Sequence, residues 1–233
     1  MVKVPLPGRV KTRLLPYLDE ETSAALYTCF LKDMVSSLES AYPGLCRVAY
    51  TPVEHVEQLR SILPDGLPML AQRGAHLGER LYNLFHYLLL SEGLESVVAV
   101  NSDGPTLPMP LIAEAFARLE EPGVDGVLGP AEDGGYYLIG LSQPHKHLFT
   151  DIPWSTPEVL STTLQRAEEA GLEMALLDSW YDVDDGASLL RLWEELRGSK
   201  TGGPAPATRA FLHELAKEGG LSVILDLGEA EDG

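Results

Sequence analysis

Val97-Val-Ala-Val100 runs without a break into Asn101-Ser-Asp103-Gly-Pro105. A continuous apolar run bounded by turn residues is what a strand covered on both faces looks like. An acid at the tip of such a strand, held by a Gly-Pro turn, is well placed to hold Mg²⁺ or Mn²⁺, which take carboxylate oxygens and substrate phosphates together. A plain Asx turn ahead of a helix uses the same residues. Upstream, the spacing predicts a helix from an Asp19 cap to about Ala41, a strand over Leu45–Tyr50, a short helix over Val53–Leu63, a strand over Leu67–Ala71 and a helix over His76–Leu90. Downstream follow a helix from Pro108 to about Leu119, strands over Val124–Leu128 and Tyr136–Leu141, a helix from Thr156 to about Ala170, a strand over Glu173–Leu177 and a helix over Asp185–Leu196.

Strands alternating with helices imply an α/β protein: one doubly wound, mixed but mainly parallel sheet flanked by helices. The domain is expected to span residues 1–197. A Gly- and Pro-rich linker follows over 198–206, then a short helix and an acidic tail over 207–233. Ligands of such sheets sit in the loops beyond the C-terminal ends of the strands.

The chain has 233 residues, 45% of them hydrophobic and 22% charged, which argues against disorder and leaves no need for disulfide staples. Its apolar runs fall far short of the ~20 residues that span a bilayer, and the N-terminus lacks a basic-then-apolar leader, so a cytoplasmic protein without membrane insertion is expected. Cys29 and Cys46 fit neither a disulfide framework nor a CxxC metal site. A net charge of −18 makes nucleic acid an improbable partner. Residues 1–18 run against that balance: Lys3, Arg9, Lys11 and Arg13 are there with no acid. A basic loop on an acidic protein attracts a small anion, most plausibly phosphate.

That loop reads Pro5-Leu-Pro7-Gly8-Arg9-Val-Lys11-Thr-Arg13-Leu-Leu-Pro16. Gly8 lets backbone amides approach a ligand, and Arg9, Lys11 and Arg13 offer charged donors to phosphate oxygens. It is neither a Walker A loop nor GxGxxG. The strand before it is short, since a buried strand usually needs about five residues. Glu132-Asp133-Gly134-Gly135-Tyr136-Tyr137 lies between two predicted strands. It reads either as a hairpin turn or as a ligand loop in which the glycines clear space and Asp133 meets a hydroxyl or a metal. Trp154-Ser155-Thr156 opens a helix, where free amides meet anions but an N-cap is also expected. Of Asp182, Asp184 and Asp185, one suits a helix cap and another a metal ligand. Gln72, Gly78, Glu79 and Arg80 surround a loop that could touch a base or ribose. His145 and His147 read as surface residues, and the absence of GxSxG disfavours a serine hydrolase.

The order PxPGxVKTRL, GxxGER, SDxPxL, LGPAxDGGYYLIGL, LFxDIxWST and DVDD, at Pro5–Leu14, Gly74–Arg80, Ser102–Leu107, Leu128–Leu141, Leu148–Thr156 and Asp182–Asp185, resembles the bacterial radical-SAM/selenodomain-associated transferases, which are glycosyltransferase-like. The resemblance spans roughly residues 1–212, and DGGYYLIGL is its most specific block. It implies a GT-A, nucleotide-diphospho-sugar transferase fold with a divalent cation.

Pro7, Gly8, Arg9, Lys11, Arg13, Gln72, Gly78, Glu79, Arg80 and Ser102 would then face the nucleotide and its phosphates. Gly134, Gly135, Tyr136, Trp154, Ser155 and Thr156 would lie on the acceptor side. Asp103, with Asp182 or Asp184, would hold the metal, although Asn101 stands where the usual DxD triplet has its first acid. The first strand is also shorter than the family's. The implied reaction is glycosyl transfer from a nucleotide sugar to a small-molecule acceptor: the metal on Asp103 neutralises the diphosphate leaving group, Lys11 and Arg13 assist, and Asp133 serves as base. The PGRVKTRL loop also resembles the start of phospholactate guanylyltransferases, which leaves open a nucleotidyltransferase that takes a nucleoside triphosphate and releases pyrophosphate. A non-catalytic nucleotide-binding protein is the third reading, with Asn101 as its support.

Overall fold

The computed structural model describes residues 1–198, 203–223 and 225. Seven strands appear in chain order: β1 (Val2–Lys3), β2 (Val48–Thr51), β3 (Met69–Ala71), β4 (Val97–Val100), β5 (Gly126–Pro130), β6 (Tyr136–Leu141) and β7 (Met174–Leu176). They form two sheets, β1-β2-β3 and β4-β6-β5-β7. The first is wholly parallel; in the second only β6 runs against its neighbours. The Met1 nitrogen donates to the Val100 carbonyl at 2.7 Å and so sets β1 beside β4. The expected mixed, mainly parallel sheet is therefore present, with the ends of β1 and β4 opening into adjacent loops.

The longest helix, α1 (Glu20–Ala41), begins where Asp19 accepts a hydrogen bond from the Thr22 amide at 2.6 Å. Its inner face, including Leu26, Phe30 and Leu31, is fully buried against β1 and β2. Helix α2 (Val56–Arg60) is shorter than its periodicity implies, because Val53–His55 forms a 3₁₀ turn ahead of it. Helix α3 (Leu77–His86) continues into a single π turn over Tyr87–Ser91. Helices α4 (Met109–Leu119) and α5 (Val159–Glu169) cover the second sheet. Helix α6 (Gly186–Arg197) opens on a capping box between Asp185 and Ser188, so Asp185 is the acid that caps.

One difference from the sequence reading has a clear cause. The strand expected from Leu45 starts at Val48, and Leu45 itself is 71% exposed. Pairing to β3 begins only at Val48, so tertiary partners rather than apolarity set that boundary. Helix α7 (Pro206–Lys217) follows the expected linker and joins the core through Leu212. Asp33, buried on α1, accepts from the Ala207 and Thr208 amides at 2.9 and 2.7 Å, supplying an N-terminal cap from another helix. Parts of the expected linker and tail, residues 199–202 and 226–233, lie outside the described residues. No helix among the described residues is long and apolar enough to cross a membrane.

Candidate functional site

The basic loop leaves β1, turns through a 3₁₀ helix at Thr12–Leu14 and carries Lys11 back over the sheet. Its ammonium is buried and donates to Asp103, to Asp184 at 3.0 Å and to the Val183 carbonyl at 2.8 Å. The Tyr27 and Phe30 rings lie 5.5 and 5.3 Å away, adding cation–π attraction. Burial alone would drive the Lys11 proton off, but the charges of Asp103 and Asp184 outweigh it and hold the group above its ordinary value.

Beside this cluster, the Asn101 amide donates to both oxygens of Asp182 at 2.9 and 2.8 Å. Burial, reinforced by the charge on Asp103, pushes the Asp182 carboxyl up to about 7. A carboxyl that titrates near neutrality can hold or release a proton there. Tyr27 locks the tip of β4, its hydroxyl 2.6 Å from that of Ser102. Sequence periodicity missed Tyr27; the available signal was a phenol, whose polar tip needs a partner, among the buried positions of α1.

These groups open onto a cavity of about 600 Å³ whose lining includes Lys11, Arg13, Arg80, Ser102, Asp103 and Asp184. Among the described residues four non-glycine positions have positive φ, and two of them, Lys11 (48°) and Ser155 (67°), line this cavity. Backbone held in that region costs about 1–3 kcal/mol and persists where surrounding structure fixes it, typically at functional sites.

The other expected residues divide. Gln72 lines the cavity, yet its amide is bound to the Val2 and Ala49 carbonyls, so it braces the sheet. Arg9 lines a separate cavity beside Thr51 and Pro52, and Pro7 is exposed, outside the phosphate-facing wall. A Cβ on Gly8 would meet the Glu20 carboxylate, so that glycine clears the start of α1. Gly78 admits the Phe149 carbonyl and the Trp154 indole, which would lie 2.5 and 2.9 Å from a Cβ; Glu79 accepts from the Ala75 amide at 2.7 Å. Both shape the approach to α3 and stand outside the cavity lining.

The Asp133 loop is the hairpin turn. Strands β5 and β6 pair directly, and the Asp133 carboxylate accepts from the Gly135 amide at 2.9 Å, exposed and outside the cavity. Gly134 sits at φ +90° with the Pro157 backbone where a Cβ would be. Tyr136 packs edge-on against Trp154, their centroids 6.3 Å apart, in the core beneath α5. Thr156 donates to the Pro153 carbonyl and accepts from the Glu158 amide, a local turn. Of the acceptor-side set only Ser155 reaches the cavity.

The three acids expected to hold a cation do converge, but around an ammonium and an amide. Lys11 engages Asp103 and Asp184, and Asn101 engages Asp182. Among the described residues no group of three or more His, Cys, Asp or Glu side chains could hold a metal ion. As arranged, these residues do not fit a divalent cation, because Lys11 takes its place.

A family of uncharacterized proteins conserved in bacteria, DUF2064, matches residues 34–156, more than half of the chain. The chain belongs to this family. The DUF2064 match includes β4 with Asp103 and the β5–β6 hairpin, and it begins after the basic loop. A solved structure described as a "putative nucleotide-diphospho-sugar transferase" from Desulfovibrio desulfuricans G20 is 32% identical, with a TM-score of 0.84 over 93% of each chain. The fold is that of nucleotide-diphospho-sugar transferases. A CMP:2-keto-3-deoxy-manno-octonic acid synthetase complexed with CTP matches 82% of this chain and 93% of its own, at 13% identity and a TM-score of 0.48, too distant to carry function. No curated protein matches the sequence significantly.

Proposed function

We propose that this protein is a transferase whose nucleotide donor lays its phosphates between Lys11, Arg13 and Arg80. The donor is a nucleotide-diphospho-sugar, and the acceptor is a small molecule. The observation that carries this reading is the charge layout. In a chain of net charge −18, Lys3 of β1, Lys11 and Arg13 of the basic loop and Arg80 of α3 all line one cavity at the C-terminal ends of parallel strands. The description of the 32% identical structure supports the same class. The closer kinship with radical-SAM/selenodomain-associated transferases, and a cytoplasmic setting with Cys29 and Cys46 both free, belong to the proposal.

On this reading Arg13 and Arg80, with side chains not tied to carboxylates by the loop, meet the phosphates as they arrive. Lys11, whose three N–H groups are taken by Asp103, Asp184 and the Val183 carbonyl, fixes the loop that presents Arg13 to the leaving diphosphate, and a preorganised charge stabilises a developing one best. Asp103 and Asp184 act by holding Lys11. The exposed hairpin position of Asp133 gives no support for a role as acceptor base. Dependence on Mg²⁺ or Mn²⁺ is the part of the expectation that the geometry does not support.

A thermal-melt panel of nucleoside diphosphate sugars and nucleoside triphosphates, each with Mn²⁺ and with chelator, tests this. Saturation to about 100 times Kd adds roughly 2.7 kcal/mol, or ~5–10 °C for a chain this size. A shift with one sugar nucleotide, lost in Arg13→Ala, is the expected result. A shift confined to triphosphates, with pyrophosphate release, would establish the guanylyltransferase-like alternative. Binding without turnover for any acceptor would leave a nucleotide-binding protein. The chelator arm reads metal dependence separately.

A further inference from the structure

Strands β1 and β4 touch where the Met1 nitrogen donates to the Val100 carbonyl, and two residues further along each the Tyr27 phenol bridges them. The Val4 amide donates to the Thr51 carbonyl on the β2 side, so alternation turns the Lys3 amide to the other edge. There it donates to the Tyr27 hydroxyl at 3.2 Å. The same hydroxyl lies 2.6 Å from the Ser102 Oγ.

The protons fix the direction of this second bond. A backbone amide only donates, so Lys3 occupies a lone pair of the phenol oxygen. Tyr27 is buried, and burial, reinforced by the charge of Asp103, holds its proton well beyond the ordinary phenol range. Among the described residues Ser102 is the one acceptor within reach of that proton. Were Ser102 the donor, a buried phenolic proton would stay unpaired, which is the costly arrangement. Tyr27 therefore donates and Ser102 accepts. The Ser102 proton is left over, because its hydroxyl makes no other hydrogen bond among the described residues.

Ser102 is buried and lines the charged cavity with Arg13 and Arg80. The Lys11 ammonium has all three of its N–H groups engaged by Asp103, Asp184 and the Val183 carbonyl. A hydroxyl with a proton to give is thus a further donor at the tip of β4, beside the two arginines. We propose, on the nucleotide-donor reading above, that Tyr27 is a positioning residue: accepting from Lys3 and donating to Ser102, it leaves the Ser102 O–H to donate to a phosphate oxygen in the cavity. A hydroxyl held in this sense suits an anion, since its oxygen already carries the Tyr27 proton and its own proton faces the ligand.

Calorimetric titration with inorganic pyrophosphate, which stands for the diphosphate of the donor, tests this in the parent, Tyr27→Phe, Ser102→Ala and the double variant, each below its own Tm. Phenylalanine keeps the ring beside Lys11 and Phe30 and removes only the hydroxyl. Ser102→Ala is expected to weaken binding about tenfold or more, and Tyr27→Phe about threefold or more, as losing or loosening one donor to a charged group does. Ser102→Cys, whose thiol is a weak donor, should repeat the Ser102→Ala loss at nearly constant volume. The double variant should bind no more weakly than Ser102→Ala, because Tyr27 acts only through Ser102. Losses that multiply in the double variant overturn the proposal. So does a Tyr27→Phe variant that melts lower but binds pyrophosphate as the parent does, which is what a merely structural phenol gives. A parent that binds neither pyrophosphate nor any nucleotide overturns the donor reading together with the role of Tyr27. A parent that binds, with single variants equal to it, overturns the role of Tyr27 alone.

Discussion

The Lys11 loop and the Asp133 hairpin stand out equally in the sequence, each pairing glycine with charged residues. In the structure they differ in kind. Lys11 is buried and engaged by groups from two distant segments, Asp103 on one and Val183 and Asp184 on the other. Asp133 is exposed and binds the amide two residues along its own loop. A charged side chain whose partners are all local needs no site to explain it. One that is buried among distant partners is expensive to maintain, and so points to function.

The largest expected effect falls on Lys11. Lys11→Ala should destabilise the fold by about 3 kcal/mol, the low end of the range for breaking a buried pair, because Asp103 and Asp184 keep partial access to solvent. Denaturant unfolding reads the loss, and donor binding should disappear with it. If Lys11→Ala matches the parent in both, the contrast between the loops collapses.

The second effect is a pH dependence beside the same cluster. The folded Asp182 carboxyl titrates near 7, against an ordinary 3.8. Between those values the folded state holds a proton that the unfolded state has released. Asp182 therefore makes stability fall as pH rises from about 4 to 7, by up to roughly 1.4 kcal/mol per unit, with no contribution to the slope outside that window. Comparing the parent with Asp182→Asn across that range isolates the slope, which the variant should lose.

The hairpin gives the two smaller effects, and they sharpen the distinction. Gly134→Ala must place a Cβ 2.2 Å from the Pro157 carbonyl oxygen at φ +90°. It should cost about 2 kcal/mol in thermal unfolding while leaving donor affinity unchanged in the folded fraction. Asp133→Asn, which keeps an acceptor for the Gly135 amide, should change stability by less than about 0.5 kcal/mol and donor binding not at all. A large loss of turnover at normal stability in Asp133→Asn would return this loop to the site.

Much of the framework was legible because it rests on local rules. Val97–Val100 is a strand as its apolar run requires, and the Asp19 and Asp185 caps start α1 and α6 where expected. The tips carrying Lys11, Arg13, Ser102, Asp103 and Asp184 were legible for the same reason: ligand loops follow strand ends. The sequence could not show that Asp33 caps α7 across 174 positions, that Tyr27 reaches Ser102, or that Arg9 and Lys11 point into different cavities. It left the Asp133 loop open between turn and ligand site, and only the β5–β6 pairing decided for the turn.

By itself, then, the sequence determined the elements, their alternation and the loops that end at one side of the sheet, because helix caps, apolar runs and turns are encoded within a few residues. Tertiary structure alone decided which charges meet. Whether an acid binds a metal, a lysine or its own backbone depends on distances between segments far apart in the chain. Lys11 and Asp103, 92 positions apart, become partners only when β1 and β4 lie side by side.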